Sequence, residues 1–181
     1  MTKKKLTLTI NKSVVIDAVK TDTHIKGTID KSMDDNASRV AYNESAGDDE
    51  YHERKLDRTF VASSENLVAE ISDMLSGNSE VSSDFSKTGL VVISVEVDAR
   101  FNSSFADTLS RLCSSYIENK MLVLWWGTIN QNQSAFYAQI LADYLRSIRK
   151  CFNKIAPSAP VDESNREITI LDTTGQLIDK E

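Results

Sequence analysis

The sequence predicts an α+β fold: a predominantly helical core of three to four helices, one central strand, and β-strand arms at both termini. Three observations support this. Several segments repeat apolar residues at helical spacing, residues 90–101 carry an apolar face at period two, and short alternating segments lie near both ends of the chain. With 181 residues, 40% hydrophobic and 27% charged, the chain is long enough for one ordinary core. We divide it into a core domain at 1–157 and a C-terminal linker and β-hairpin arm at 158–181.

The N-terminal part begins with a strand. Leu6, Leu8 and Ile10 share one face of a period-two segment, which predicts a strand over 5–10. Asn11 or Ser13 then caps a short helix. Its apolar positions are Val14, Val15, Ala18 and Val19. Residues 26–47 are polar and weakly patterned, which indicates a long loop or a loosely held helix.

An acidic segment spans about residues 26–88 and contains the next helix. Acidic residues crowd its first turn from Asp48, apolar residues follow at spacings of three, four and seven, and Gly77 ends it. Residues 31–84 hold 13 acidic and 5 basic side chains, a net charge of −8. We interpret this charge as a solvated helix face rather than an acidic binding function.

The central strand, 90–101, leads into a helix that is unusually apolar. Residues 102–104 form a good helix cap, and residues 121–126 are apolar on nearly every side until Gly127 ends the helix. A helix without a polar face is buried on several sides. Trp125 and Trp126 therefore fill either the core or a subunit interface.

The last helix is predicted over 133–155 and ends in a basic cluster, before prolines 157 and 160 stop it. The cluster consists of Arg146, Arg149, Lys150 and Lys154. Two interpretations stay open: these side chains neutralise the negative end of the helix dipole, or they contact DNA phosphates or an acidic partner. Two short β segments follow at 167–171 and 176–179, around a turn.

The chemistry-bearing residues form no recognisable catalytic set. The sequence has no phosphate-binding loop, nucleophile elbow or zinc-protease motif. It has only two histidines, His24 and His52, and its two cysteines, Cys113 and Cys151, form no C-x-x-C pair, which argues against a metal site. Glu96 and Asp98 alternate with other polar residues, which is typical of a solvated or interface strand face. We therefore expect no enzymatic activity, no metal and no cofactor.

Charge and hydropathy also exclude some partners. A net charge of −6 argues against a protein held on nucleic acid by its overall field, although a local basic patch can still touch phosphate. The first residues lack the apolar stretch of a signal peptide, and the apolar run 121–126 is far shorter than a membrane span. We expect a chain made in the cytosol without membrane contact.

The two terminal strands have no evident partner within the chain, which is the strongest sequence-based indication of assembly. A strand without a partner exposes its backbone unless another chain pairs with it. Together with the tryptophans, the terminal strands define a predicted subunit interface. It consists of Leu6, Leu8, Ile10, Trp125, Trp126, Ile168 and Ile170.

Four segments carry a resemblance to a known group of proteins. These are Leu6-Thr-Leu-Thr-Ile-Asn-Lys12 with Val14-Val-Ile-Asp-Ala-Val19, the strand Val91-Val-Ile-Ser-Val-Glu-Val-Asp-Ala-Arg-Phe101, the helix with Trp125-Trp126, and Arg149-Lys-Cys-Phe-Asn-Lys-Ile-Ala-Pro157. In their order, over about 5–20 and 89–157, they resemble small structural proteins of tailed phages of gut Bacteroidetes, including the crAss-like group.

The resemblance implies a head–tail connector, adaptor or neck-ring protein of the virion, assembled in the host bacterial cytoplasm. Such proteins form closed rings, commonly twelve-fold, between the portal and adjacent neck or tail proteins. The expected partners are therefore copies of the chain, those neighbours, and DNA in the channel. The alternatives are another phage tail or virion subunit, or a small non-enzymatic binding or assembly module.

Overall fold

The computed structural model describes residues 3–30, 50–74 and 89–155. Within these ranges the fold is mostly helical, with one two-stranded antiparallel sheet. The α+β class is thereby confirmed. The elements in chain order are β1 (Lys3–Asn11), α1 (Lys12–Asp30), α2 (Glu50–Glu70), β2 (Leu90–Asp98), α3 (Ala106–Trp126) and α4 (Gln131–Phe152), with single 3-10 turns at Ser72–Met74 and Ser103–Phe105.

The N-terminal strand is not an unpaired arm, which corrects the prediction from the sequence. β1 pairs antiparallel with β2 along its whole length, so that Leu8 lies opposite Ile93 and Ile10 opposite Val91. These four side chains are fully buried. The physical reason is that each strand alternates, so that pairing brings both apolar stripes onto one face, which the helices cover.

Helix α3 forms the centre of the molecule, in contact with α1, α2, α4 and β1. Its buried side chains point to several sides, as the apolar sequence of its C-terminal half predicts. They are Leu109, Cys113, Tyr116, Ile117, Asn119, Met121, Leu122, Trp125 and Trp126. The hydroxyl of Tyr116 donates a hydrogen bond of 2.8 Å to the Asn66 side chain, which ties α3 to α2.

Local caps set most of the element boundaries. The Asn11 side chain accepts a 3.0 Å hydrogen bond from the backbone N–H of Ser13 at the start of α1, which runs to Asp30 and is longer than predicted. Asn102 caps the turn before α3, and Asn130 caps α4. Gly127 follows α3 as predicted.

The chain leaves the described structure beside the sheet. Ile155 forms an isolated antiparallel bridge with Phe101, which lies three residues past the end of β2. Beside it, the backbone N–H of Asn102 donates to the Lys154 carbonyl at 3.0 Å. The end of α4 is thus fixed near the start of α3. The predicted hairpin arm at 158–181 and most of the predicted loop at 26–47 lie outside the described residues.

Candidate functional site: two basic grooves and a sheet edge

The structure places most of the predicted interface residues in the interior of a single chain. Leu8 and Ile10 are 0% exposed, and Trp125 and Trp126 are 1% exposed. Leu6 is half-buried and packs against the same core. These side chains contact the chain's own helices and form part of its core, and their assignment to a subunit interface stays a prediction. Ile168 and Ile170 lie outside the described residues.

The two tryptophans have different surroundings. The Trp125 ring meets His52 edge-on at 5.3 Å between ring centroids, and the Lys55 ammonium lies over it at 4.2 Å from the centroid. The indole nitrogen of Trp126 is buried, and it finds no hydrogen-bond acceptor within the described ranges. Trp125 therefore joins the core to the surface of α2, whereas Trp126 serves packing.

The predicted basic cluster lies on the outer surface of α4, where Arg146, Arg149 and Lys150 line a shallow groove of about 400 Å³. Arg146 bonds Asp143 at 2.7 Å. Arg149 reaches α2, donating to the Glu70 carbonyl oxygen at 3.2 Å with the Glu70 carboxylate 3.8 Å away. Much of the positive charge of this α4 groove is thus balanced within the chain.

The fourth member of that cluster, Lys154, faces elsewhere. Its ammonium lies 5.9 Å from the centroid of the Phe105 ring, at the start of α3. Both interpretations of the cluster given by the sequence are consistent with this geometry. A contact between DNA or another partner and these four residues stays a prediction.

A second basic groove lies on α2, and the sequence interpretation missed it. Tyr51, Arg54, Lys55, Arg58 and Thr59 line a groove of about 400 Å³. Their spacings of three, four and seven residues place them on one helix face. Because the surrounding segment is strongly acidic, its net charge concealed this α2 groove. The spacing itself was the signal that could have revealed it.

The cations of the α2 groove are only partly compensated. Arg54 is paired with Glu50 one turn earlier. Lys55 and Arg58 have no carboxylate within ion-pair distance in the described part of the chain, and burial lowers the pKa of Lys55. A half-buried ammonium resting on an indole ring without a counter-ion favours an incoming anion.

A third groove, of about 510 Å³, lies where β1 passes into α1. Its lining includes Asn11, Ser13, Asp17 and Gly89. Here the Lys12 ammonium bonds the half-exposed Asp57 carboxylate of α2 at 2.9 Å. This ion pair fixes the end of the sheet beside the α2 groove.

Titratable side chains inside the molecule belong to its packing. Burial raises the pKa of Cys113 to about 12, with a smaller effect from Cys151, and both cysteines are free thiols buried where α3 meets α4. Burial, Asp22 and Glu118 raise the pKa of Tyr137 to about 12. With a pKa of about 12 the Cys113 thiol is protonated near neutral pH and is therefore a weak nucleophile.

The strand carboxylates are also engaged. Asp98 accepts hydrogen bonds from the Arg100 backbone N–H at 2.8 Å and from its guanidinium at 3.2 and 3.3 Å. These bonds lower the pKa of the Asp98 carboxyl. Glu96 lies opposite Lys5 in the sheet register. Across residues 3–30, 50–74 and 89–155, no three His, Cys, Asp or Glu side chains are grouped closely enough to bind a metal ion.

Comparison with known proteins finds no matching family model, no matching curated protein and no matching solved structure. None of the four helices described above has the length and apolar character needed to cross a membrane.

Proposed function

We propose that the chain is a non-enzymatic structural subunit that assembles with copies of itself into a closed ring. The observation that carries this proposal is the two-stranded sheet. Each strand has one neighbouring strand among the described elements, so each has an outer edge. A nine-residue strand presents about 30 Å of backbone along such an edge. An edge of this length with no strand neighbour among the described elements favours pairing with another chain.

The C-terminal segment supplies a suitable added strand. Residues 167–171 alternate, with Ile168 and Ile170 on one face, in the same pattern as Leu6, Leu8 and Ile10 of β1. Added to a sheet edge, the two isoleucines would extend the apolar face that β1 and β2 already present to the helices. Exchange of this segment between copies is a head-to-tail contact, and such contacts close into rings when the rotation permits.

We further propose that the ring is a head–tail connector, adaptor or neck ring of a tailed phage virion, commonly twelve-fold, between the portal and adjacent neck or tail proteins. This finer assignment is supported by the resemblance over residues 5–20 and 89–157. The basic face of α4 gives the ring a surface for non-specific DNA contact in the channel. Another position in the phage tail or virion is the alternative, and an image of the particle distinguishes them.

The test is the mass of the full chain by mass photometry, alone and with portal protein. We expect a closed oligomer, and we expect Ile168→Pro with Ile170→Pro to abolish it, because proline cannot donate to a ladder. Thr173→Pro with Thr174→Pro, in the predicted turn, is the matched control and should assemble. A wild-type chain that stays monomeric in both conditions would end this proposal.

A second candidate function is a binding module that docks a partner peptide. Exposed apolar side chains around the connection between α3 and α4 favour it: Leu124 in the last turn of α3, Ile129 in the connection and Phe136 in α4. Phe136 is 51% exposed, which is high for a phenylalanine. For a binding module, Phe136→Ser should abolish partner binding while deletion of residues 160–181 leaves it intact. For a ring subunit the deletion should abolish assembly.

A further inference from the structure

The α2 groove and the chain's own charge distribution are complementary. Residues 3–30, 50–74 and 89–155 hold 16 of the 21 basic and 14 of the 27 acidic side chains, a net of +2. The remaining 5 basic and 13 acidic side chains give −8. Residues 156–181 alone hold six acidic and two basic side chains, beginning with Asp162 and Glu163. The described body is therefore weakly basic, and the chain itself contains acidic segments that suit it.

The α2 groove is the better acceptor of the two basic grooves. In the α4 groove, Asp143 and Glu70 pair with two of the three cations. In the α2 groove, Glu50 pairs with one of three, which leaves Lys55 and Arg58 to bind an incoming carboxylate. The exposed Tyr51 side chain adds a hydroxyl donor to the same face, whereas the Thr59 hydroxyl donates to the Lys55 and Leu56 carbonyls of its own helix.

The length of the connecting chain favours binding of the acidic segment from a neighbouring copy over binding of the chain's own segment. The segment leaves at Ile155, beside the start of α3, whereas the α2 groove lies against Trp125 near the end of α3. The 19 residues between the start of α3 and Trp125 rise about 29 Å. Glu163 is eight residues past Ile155 and reaches about 29 Å even when fully extended. A chain thus has little slack to place Asp162 and Glu163 in its own groove.

We propose that the α2 groove binds the acidic segment around Asp162 and Glu163 of a second copy of this chain. The contact is head-to-tail, because the segment leaves one end of the helical body and the groove lies toward the other. It rests on the proposed assembly function and adds the charged contact that positions the exchanged segment. The Lys12–Asp57 ion pair holds the end of β1 beside the groove. From Glu163, residue 167 is about 13 Å further, within reach of the sheet edge.

The experiment uses two charge-reversed full-length chains. The groove variant carries Arg54→Glu and Arg58→Glu, and the segment variant carries Asp162→Lys and Glu163→Lys. Each alone should raise the dissociation constant for self-association about tenfold or more. When the two are mixed, the groove variant's intact segment fits the segment variant's intact groove. The segment variant's reversed segment likewise fits the groove variant's reversed groove. We therefore expect the two chains to alternate and restore the closed oligomer when mixed, and a chain with all four changes should assemble again.

Three outcomes would overturn the inference. If wild type assembles and both variants assemble as wild type does, the groove is not the contact, although the ring proposal stands. If the variants lose assembly and neither their mixture nor the fourfold variant restores it, charge pairing between these residues is excluded. If the groove variant assembles normally but loses binding to labelled double-stranded DNA, the groove is a nucleic-acid surface. A monomeric wild type ends the ring proposal itself.

The matched control reverses charge in the α4 groove, with Arg146→Glu and Lys150→Glu. Both residues are exposed, as Arg54 and Arg58 are, but they line the other groove. We expect this control to assemble like wild type. If it weakens assembly as much as the α2 variant does, the acidic segment binds the α4 groove and the inference is wrong.

Discussion

The burial of β1 makes a sharp prediction for Leu8→Ala. Leu8 is 0% exposed, lies opposite Ile93 and faces the helical core. Truncating a fully buried leucine removes its transfer free energy and leaves a cavity, which together cost about 3 kcal/mol. That is a large share of the roughly 5–15 kcal/mol that stabilises a domain of this kind.

The measurement is urea unfolding followed by the fluorescence of Trp125 and Trp126, both of which are buried in the same core. Thr7→Ala is the control, because Thr7 is exposed on the opposite face of the same strand. A change there alters strand preference alone and should cost less than about 1 kcal/mol.

Protein concentration separates the core assignment from the interface assignment. If Leu8 packs inside its own chain, its loss lowers the free energy of unfolding equally over about a hundredfold range of concentration. If Leu8 served a subunit contact, the loss would grow with concentration, since association would stabilise wild type alone. A cost below about 1 kcal/mol, or one that depends on concentration, would refute the placement of β1.

Three further predictions concern single sites. Burial raises the pKa of Cys113 from 9.0 to about 12, so little of it is the reactive thiolate in the folded chain. In a Cys151→Ser variant at about pH 8, iodoacetamide should therefore modify Cys113 about a thousandfold more slowly in the folded chain than in urea. Comparable rates would contradict its burial. Burial and Asp22 raise the pKa of Glu118, so folding favours its protonated form, and its ionisation lowers stability as pH rises above 4.5. Glu118→Gln should therefore raise the urea midpoint more at neutral pH than at about pH 4. An equal shift at both pH values would exclude the effect. Gly89 has a φ of +64° and open space where a Cβ would lie. Gly89→Ala should therefore lower the free energy of unfolding by about 1 kcal/mol through backbone strain alone. An unchanged unfolding midpoint would contradict that conformation.

Local features of the fold could be predicted from the sequence. The alternation of residues 90–98 and the caps at Asn102 and Gly127 act over a few residues, so a single segment contains the information that fixes each element. The boundaries of α3 and α4 agree within a few residues for the same reason, whereas α1 runs well past its predicted end. β2 ends earlier than predicted, since the N–H of Phe101 donates to the Asp98 carbonyl in a tight turn.

Pairing between distant segments could not be predicted in this way. Leu6 and Val95 are register partners, but nothing in either strand alone identifies its neighbour. For Trp125 and Trp126 the sequence left core and interface open, and packing around α3 decides for the core. The α2 groove was hidden because charge was summed along the segment, whereas a helix sorts charge by face.

Placing β1 in the core changes what an assembly of this chain requires. To be exchanged between copies, β1 would have to leave a core in which Leu8 and Ile10 are fully buried. The free energy lost with the burial of these side chains would unfold the donor chain. Of the two predicted arms, the C-terminal segment is therefore the one that can be exchanged while the core stays intact.

Since the first charges of this C-terminal segment are acidic and the described body is net basic, the assembly that we propose should weaken steeply as salt is added. A ring held by apolar contacts alone would strengthen instead under strongly salting-out conditions. Sedimentation across a salt series therefore distinguishes a ring held by charged contacts from a ring held by apolar contacts. The strand pattern alone does not distinguish the two.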